Sequence, residues 1–119
     1  MPEGAGLVEH LEAGLRAAGL RQAAIANNIA NLATPGFRRT VLPFERVLAE
    51  AVAAGRPLPQ ADLLAALEQS DDGPLNENGN NVELDLEVGD LVKNSLFYKT
   101  YMRLLARTYR QMDLAIQDR

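Results

Sequence analysis

Residues 27–37 read Asn27-Asn28-Ile29-Ala30-Asn31-Leu32-Ala33-Thr34-Pro35-Gly36-Phe37, and they carry two signals. The last four stop a helix, because Pro35 biases Thr34 away from helical dihedrals and Gly36 permits the positive φ of a turn. The first five place three asparagines in the helix's final turns, where a side-chain amide competes with the backbone for hydrogen bonds. Such amides either fray the terminus and bond the following turn, or they reach across a packed helical interface and fix its register.

Upstream of that stop, Val8, Leu11, Leu15, Ala18, Gln22, Ile25, Ile29 and Leu32 recur at alternating steps of three and four, with Gln22 the one polar member. This is the seam of a coiled-coil-like helix. The acids Glu3, Glu9 and Glu12 precede the bases Arg16 and Arg21, the order that the helix dipole favours. A helix over 5–33 is expected. Downstream, Leu84, Val88, Leu91, Ser95, Tyr98, Met102, Leu105, Tyr109, Met112 and Ile116 keep the same rhythm. They predict a second helix over 81–118, capped from within Asn80–Asp85 and led by Glu83, Asp85 and Glu87.

Residues 34–80 form a variable middle. Pro43 suits the first turn of a short helix carrying Phe44, Val47, Leu48 and Ala51. Gly55-Arg56-Pro57-Leu58-Pro59 breaks the chain. Leu63, Leu64 and Leu67 support two turns at most, and Asp71-Asp72-Gly73-Pro74 followed by the asparagine-rich 76–81 reads as loop. The expected fold is all-α and a single domain over 1–119. Its long N- and C-terminal helices pack side by side as a coiled-coil-like pair, joined by a partly irregular middle segment with short helices.

Composition narrows the function. At 119 residues the chain holds one domain, and aromatics at 5% with no Trp favour thin helical packing through Leu, Ile, Val and Ala. A net charge of −4 argues against a general nucleic-acid binder. The absence of cysteine excludes disulfides, iron–sulfur clusters and thiolate zinc sites. No apolar run approaches the ~20 residues that span a bilayer. The N-terminus lacks a secretory signal peptide, so any export is expected to take another route. Residues 57–92 carry nine acids and no Lys or Arg, whereas 93–112 carry Lys93, Lys99, Arg103, Arg107 and Arg110 and no acid. That segregation reads either as a solvated face or as an acid-to-base contact between neighbouring copies.

Catalytic constellations are absent from the pattern. His10 is the single histidine, Ser70 and Ser95 are the only serines, and Gly4, Gly6, Gly14 and Gly19 follow no strand and make no phosphate loop. No enzyme activity, cofactor or metal is expected. Function then rests on assembly residues: Asn27, Asn28, Ile29, Asn31, Thr34, Pro35, Gly36 and Phe37 at the first helix end, and Tyr98, Met102, Leu105 and Tyr109 on the second helix. Lys99, Arg103, Arg107 and Arg110 are the candidate charge contacts.

These residues resemble a known family. Asn28-Ile29-Ala30-Asn31 followed by Thr34-Pro35-Gly36-Phe37 is similar to the N-terminal signature of bacterial flagellar axial proteins, and Leu15-Arg16-Ala17-Ala18 to Gln22 resembles the first helix of the rod proteins. Gly79-Asn80-Asn81-Val82-Glu83-Leu84 and Asn94-Ser95-Leu96-Phe97-Tyr98 resemble proximal-rod subunits of the FlgB type in the flagellar basal-body rod protein family. The resemblance covers about 7–54 and 79–117. It implies a structural subunit of the hollow, periplasm-spanning rod that transmits torque and continues the export channel. It further implies uncleaved export by the flagellar type III apparatus, homo-oligomeric packing, and FlgC-type and FlgF-type subunits, the adaptor FliE and the export gate as partners. The competing expectation is a cytoplasmic helical-hairpin adaptor or export chaperone whose seams bind a client helix.

Overall fold

The computed structural model describes residues 3–117. In chain order the elements are α1 (Glu3–Ala30), β1 (Thr40–Val41), α2 (Phe44–Ala54), α3 (Gln60–Ala65), β2 (Glu68–Gln69) and α4 (Leu84–Gln117). α1 and α4 lie antiparallel along a body of 66 × 26 × 17 Å. Their direction is fixed by three crossings: Asn28 meets Glu87, Ala18 meets Asn94, and Gly14 sits under the ring of Tyr101. A Cβ on Gly14 would lie 2.8 Å from that ring, so only glycine lets the helices approach this closely here.

α1 ends at Ala30, three residues short of the expected 33. The Asn31 N–H is shared between the Asn27 and Asn28 carbonyls at 3.1 Å, and the Leu32 N–H reaches only to Ile29, so the last turn tightens and unwinds. Gly36 then takes φ +71°, as the turn requires. α4 starts at Leu84, later than the expected 81, because Asn80, Asn81 and Val82 are buried in a non-helical segment whose side chains bond elsewhere. The expected final residue, 118, lies outside the described residues.

The α1 seam packs as its apolar rhythm predicts: Leu11, Ala18 and Ile25 are buried, and Val8, Leu15, Gln22, Ile29 and Leu32 are half-buried. The α4 seam does so only in part: Leu91, Ser95, Leu105 and Met112 are half-buried, whereas Leu84, Val88, Tyr98, Met102, Tyr109 and Ile116 are exposed by 43–65%. The face turned to α1 combines Leu91, Leu105 and Met112 of that seam with Glu87, Asn94, Tyr101 and Thr108, spaced seven apart. The buried members Glu87, Asn94 and Thr108 are polar, so apolar periodicity alone does not find them.

The middle segment is better ordered than its sequence suggests. β1 pairs antiparallel with β2, Thr40 opposite Gln69 and Val41 opposite Glu68, and the Ser70 N–H extends the ladder to the Arg39 carbonyl at 2.8 Å. α2 forms behind Pro43 and is closed by Gly55 at φ +68°, with Arg56 N–H returning to the Ala51 carbonyl. Leu42, Val47 and Leu63 converge on Ala17 of α1 to make a small second core, flanked by Leu20, Phe44, Leu58, Ala66 and Leu67. Leu48 and Leu64, expected on the inner sides of these helices, are about half exposed.

Candidate functional site

The two sequence signatures, 27–37 and 79–87, meet at one end of the helix pair. Asn28 is wholly buried. Its amide donates to the Thr40 carbonyl at 2.9 Å and accepts the Thr40 N–H at 2.7 Å, so the side chain stands in for a neighbouring strand beside β1. The same Nδ2 donates to Glu87 Oε2 at 3.2 Å. Glu87, also at 0% exposure, takes Arg39 Nε on its other oxygen at 2.7 Å, and Arg39 reaches Asp90 at 3.4 Å. One carboxylate therefore ties α1, the strap before β1 and the first turn of α4.

Asn80 completes the helix end. Its Nδ2 group lies 2.8–3.2 Å from the carbonyls of Asn31, Leu32 and Thr34, which α1 leaves without intrahelical partners, and its Oδ1 accepts the Val82 N–H at 2.7 Å. Asn81 donates to the Ser70 carbonyl and accepts the Arg39 N–H at 2.7 Å. The Gly36 N–H donates to the Asn78 carbonyl at 2.8 Å, and Gly79, at φ +80°, packs against the Gly36 backbone. Farther along, Asn94 donates to the Ala18 carbonyl at 2.8 Å and to Gln22, and accepts from Arg21 Nε at 2.7 Å. The Arg21 guanidinium lies 4.5 Å from the Phe44 ring centroid and 5.4 Å from that of Phe97, and burial pulls its pKa down. Among the described residues every buried side-chain nitrogen and oxygen has a partner.

The expected assembly residues therefore divide. Asn28 reaches across the fold, whereas Asn31 bonds locally, donating to the Asn27 carbonyl at 2.8 Å and accepting from Thr34 Oγ1. Of the two readings of these amides, Asn31 follows the local one and Asn28 the one that reaches across the packed interface. Asn27, Thr34, Pro35 and Gly36 are exposed, and Ile29 and Phe37 are half-buried. Tyr98 and Met102 are exposed on α4, Tyr109 is half exposed with its hydroxyl donated to Glu12 of α1, and Leu105 faces α1. Lys99, Arg103, Arg107 and Arg110 are exposed, and no ion pair within the described residues engages them. Part of the acid-rich segment is already engaged: Glu87 and Asp90 with Arg39, Glu68 with Arg46.

Sequence reasoning missed Arg39, Glu87 and Asn94 as functional residues. The available signal was spacing, since Glu87, Asn94, Tyr101 and Thr108 fall seven apart on one helix stripe. Among the described residues no group of three or more His, Asp and Glu gathers in a metal-holding arrangement, and no helix is long and apolar enough to cross a membrane.

A long antiparallel helix pair, locked at one end and apolar along its outer face, defines a building block of a larger assembly. Comparison with known proteins names the assembly. Residues 9–38 match the flagella basal body rod protein family. Over 103 residues the chain is 30% identical to the flagellar basal body rod protein FlgB of Bacillus subtilis, covering 79% of this chain and 80% of that one. Over 116 residues it is 28% identical to the protein of the same name from Borreliella burgdorferi, covering 82% and 86%. The chain belongs to the flagellar basal body rod protein family, whose members are structural subunits of the bacterial flagellar basal body and serve motility.

Proposed function

We propose that the chain is a proximal-rod subunit, packed with further copies and with FlgC-type and FlgF-type subunits into the hollow drive shaft, and seated near FliE and the export gate. It reaches that place unfolded through the flagellar type III apparatus. The observation that carries the reading is the outer face of α4. Along α4, twelve large apolar residues from Leu84 to Ile116 are exposed by 43% or more, of which Phe97 lies beside Phe44 and Tyr109 touches α1, and the others form a large uncovered apolar surface. Only six described apolar residues larger than alanine are buried, namely Leu11, Ile25, Leu42, Val47, Leu63 and Val82. Neighbouring subunits supply the missing burial, and the small core keeps the chain easy to hold unfolded for passage. Arg103 and Arg107 flank this stripe and are suited to meet acidic residues of an adjacent subunit, selecting register more than adding affinity. No substrate or cofactor enters this work.

The test replaces Tyr98 and Met102 by Ser in a strain lacking its own rod subunit. The variant is expected to be exported at the normal level and to give no swimming. Wild-type swimming would remove the outer face of α4 from the assembly surface. A cytoplasmic adaptor, by contrast, would never appear in purified basal bodies.

A further inference from the structure

Charge is sorted along the molecule. The end where the two signatures meet, residues 27–41 with 68–90, holds eight acids against Arg38 and Arg39 and stands at −6. The rest of the helix pair, 3–26 with 91–117, holds seven Lys and Arg against four acids and stands at +3. Residues 42–67 add −1, and Asp118 and Arg119 cancel, which accounts for every charge in the net −4.

Part of the acidic end is engaged within the molecule. Arg39 takes Glu87 and Asp90, Arg38 lies 3.9 Å from Asp71, and Arg46 lies 3.7 Å from Glu68. Asp72, Glu77, Glu83 and Asp85 make no ion pair among the described residues, and all but the half-buried Glu83 are exposed. On α4, exposed Lys99, Arg103, Arg107 and Arg110 follow at steps of four and three, so they share one side of the helix. Lys93 precedes this stripe and Asp113 ends it, and these two balance. About four free charges of opposite sign thus stand on each patch. Exposed apolar residues accompany both, Leu75, Leu84 and Leu86 at the acidic end and Leu96, Met102 and Leu104 along the basic stripe.

The two patches cannot satisfy each other within one molecule. Asp85 and Arg103 sit 18 residues apart on one continuous helix, about 27 Å at 1.5 Å per residue. Charges act over only ~8 Å at physiological ionic strength. We propose that the basic stripe of α4 docks on the acidic end, residues 72–85, of a second copy of this chain. The occupant is a copy because the chain itself carries the opposite patch, free and of matching charge. The contact is heterologous, so each docked pair keeps one free patch of either kind for a further copy. The net charge of two copies is spread over bodies 66 Å long and screened, whereas the patches meet directly. Their charges select register, and the apolar residues beside them supply the buried area. The inference rests on the rod-subunit reading, because rod assembly is what brings copies together, and it names the contact they make.

Three chains test it, each expressed in a strain lacking its own copy. One carries Arg103→Glu with Arg107→Glu, the second Asp72→Lys with Glu77→Lys, and the third all four changes. Either pair alone is expected to shrink swim haloes at least about threefold at normal export. All four together should restore haloes to at least about half, because both patches of every copy are then reversed. A wild-type halo from either pair overturns the inference. So does a quadruple variant no better than the pairs, which would set the basic stripe against a different protein or an anionic surface. Should a variant be lost before export, the purified chains decide. At ~10 mM salt, where the Debye length is ~30 Å, an equimolar mixture of the two paired variants should associate at least about tenfold more tightly than either alone, and should lose this at ~1 M. A mixture no tighter than its components overturns the inference. Failure of the unmodified chain to restore motility strikes the rod-subunit reading instead and leaves the solution result standing.

Discussion

The two ends of α4 are built on opposite plans. From Glu87 to Asn94 the helix buries polar side chains, and each of them is matched within the chain: Glu87 by Asn28 and Arg39, Asn94 by Ala18, Gln22 and Arg21. From Leu96 to Ile116 it buries only Thr108, and apart from the half-buried Tyr101, Leu105 and Met112 its large apolar residues are exposed. Polar groups taken from water carry a heavy cost unless each finds a partner in good geometry, so they make poor surfaces for loose association but sharp determinants of register. Apolar stripes are the reverse, tolerant of geometry and strong in sum. The near end is finished in the monomer, and the far end waits for a neighbour. On the proposed route, in which the subunit is threaded through a channel and then added to a growing shaft, this division sets an order of events: the hairpin registers itself first, and the open stripe is then covered by neighbours.

The largest effect should come from breaking the finished end. Glu87→Ala leaves Arg39 with only the exposed Asp90 and strips Asn28 of one acceptor. Removing one partner of a buried pair is costly because the other charge stays behind. A loss of about 3 kcal/mol is expected in urea unfolding followed by circular dichroism. Met102→Ser on the open end should change the same measurement by less than ~0.5 kcal/mol, as surface substitutions do. Similar losses in both variants would abolish the contrast between the ends.

That contrast also explains what the sequence hides. The α1 helix is legible because its buried residues are apolar and periodic, and the Thr34-Pro35-Gly36 stop is legible from backbone chemistry alone. On α4 the rhythm of apolar residues is equally clear but mixes inward residues, Leu91, Leu105 and Met112, with exposed ones such as Val88 and Met102. Glu87 and Asn94 look like solvent-facing residues until their partners are known, and those partners lie 59, 48 and 76 residues away for the bonds to Asn28, Arg39 and Ala18. The two-residue strands β1 and β2 are too short to leave a period, and they exist because Asn28 holds Thr40 in place. The signature residues were recognisable as a set, yet their division of labour was not, since Asn28 and Asn31 are the same residue three positions apart.

A smaller effect sharpens that division. Asn28→Leu leaves the Thr40 N–H and carbonyl without their side-chain partner in a partly buried site, at ~1–3 kcal/mol for such groups. A loss near 2 kcal/mol is expected. Asn31→Leu removes only exposed local bonds to Asn27 and Thr34 and should cost less than ~1 kcal/mol, both read by urea unfolding of the purified chain. Equal losses would mean that the signature acts as one block and not as one long-range and one local amide. If Asn31→Leu nevertheless stops swimming at normal export, Asn31 works at the surface between subunits, where the monomer's stability does not register.

The smallest effect lies at the open end, where α1 and α4 last touch. Tyr109 donates its hydroxyl proton to Glu12 Oε1 at 2.8 Å, and this bond, with the carboxylate charge beside it, raises the phenol's pKa above its ordinary value. The raised value means that the neutral phenol is favoured in the folded chain. Its contribution to pairing is therefore complete below the ordinary tyrosine range and is lost as pH rises through the folded value. The contact is solvent-exposed, so stability at neutral pH should not change measurably when it is removed. Ultraviolet titration of the phenolates, with Tyr109→Phe to identify the signal, should show one tyrosine ionising later than a free phenol. Glu12→Gln should return it towards about 10. A Tyr109 titration unmoved by Glu12→Gln would show that the far ends of α1 and α4 are apart in the free subunit. The finished part of the molecule would then stop before residue 109, leaving still more of α4 to be ordered by its neighbours.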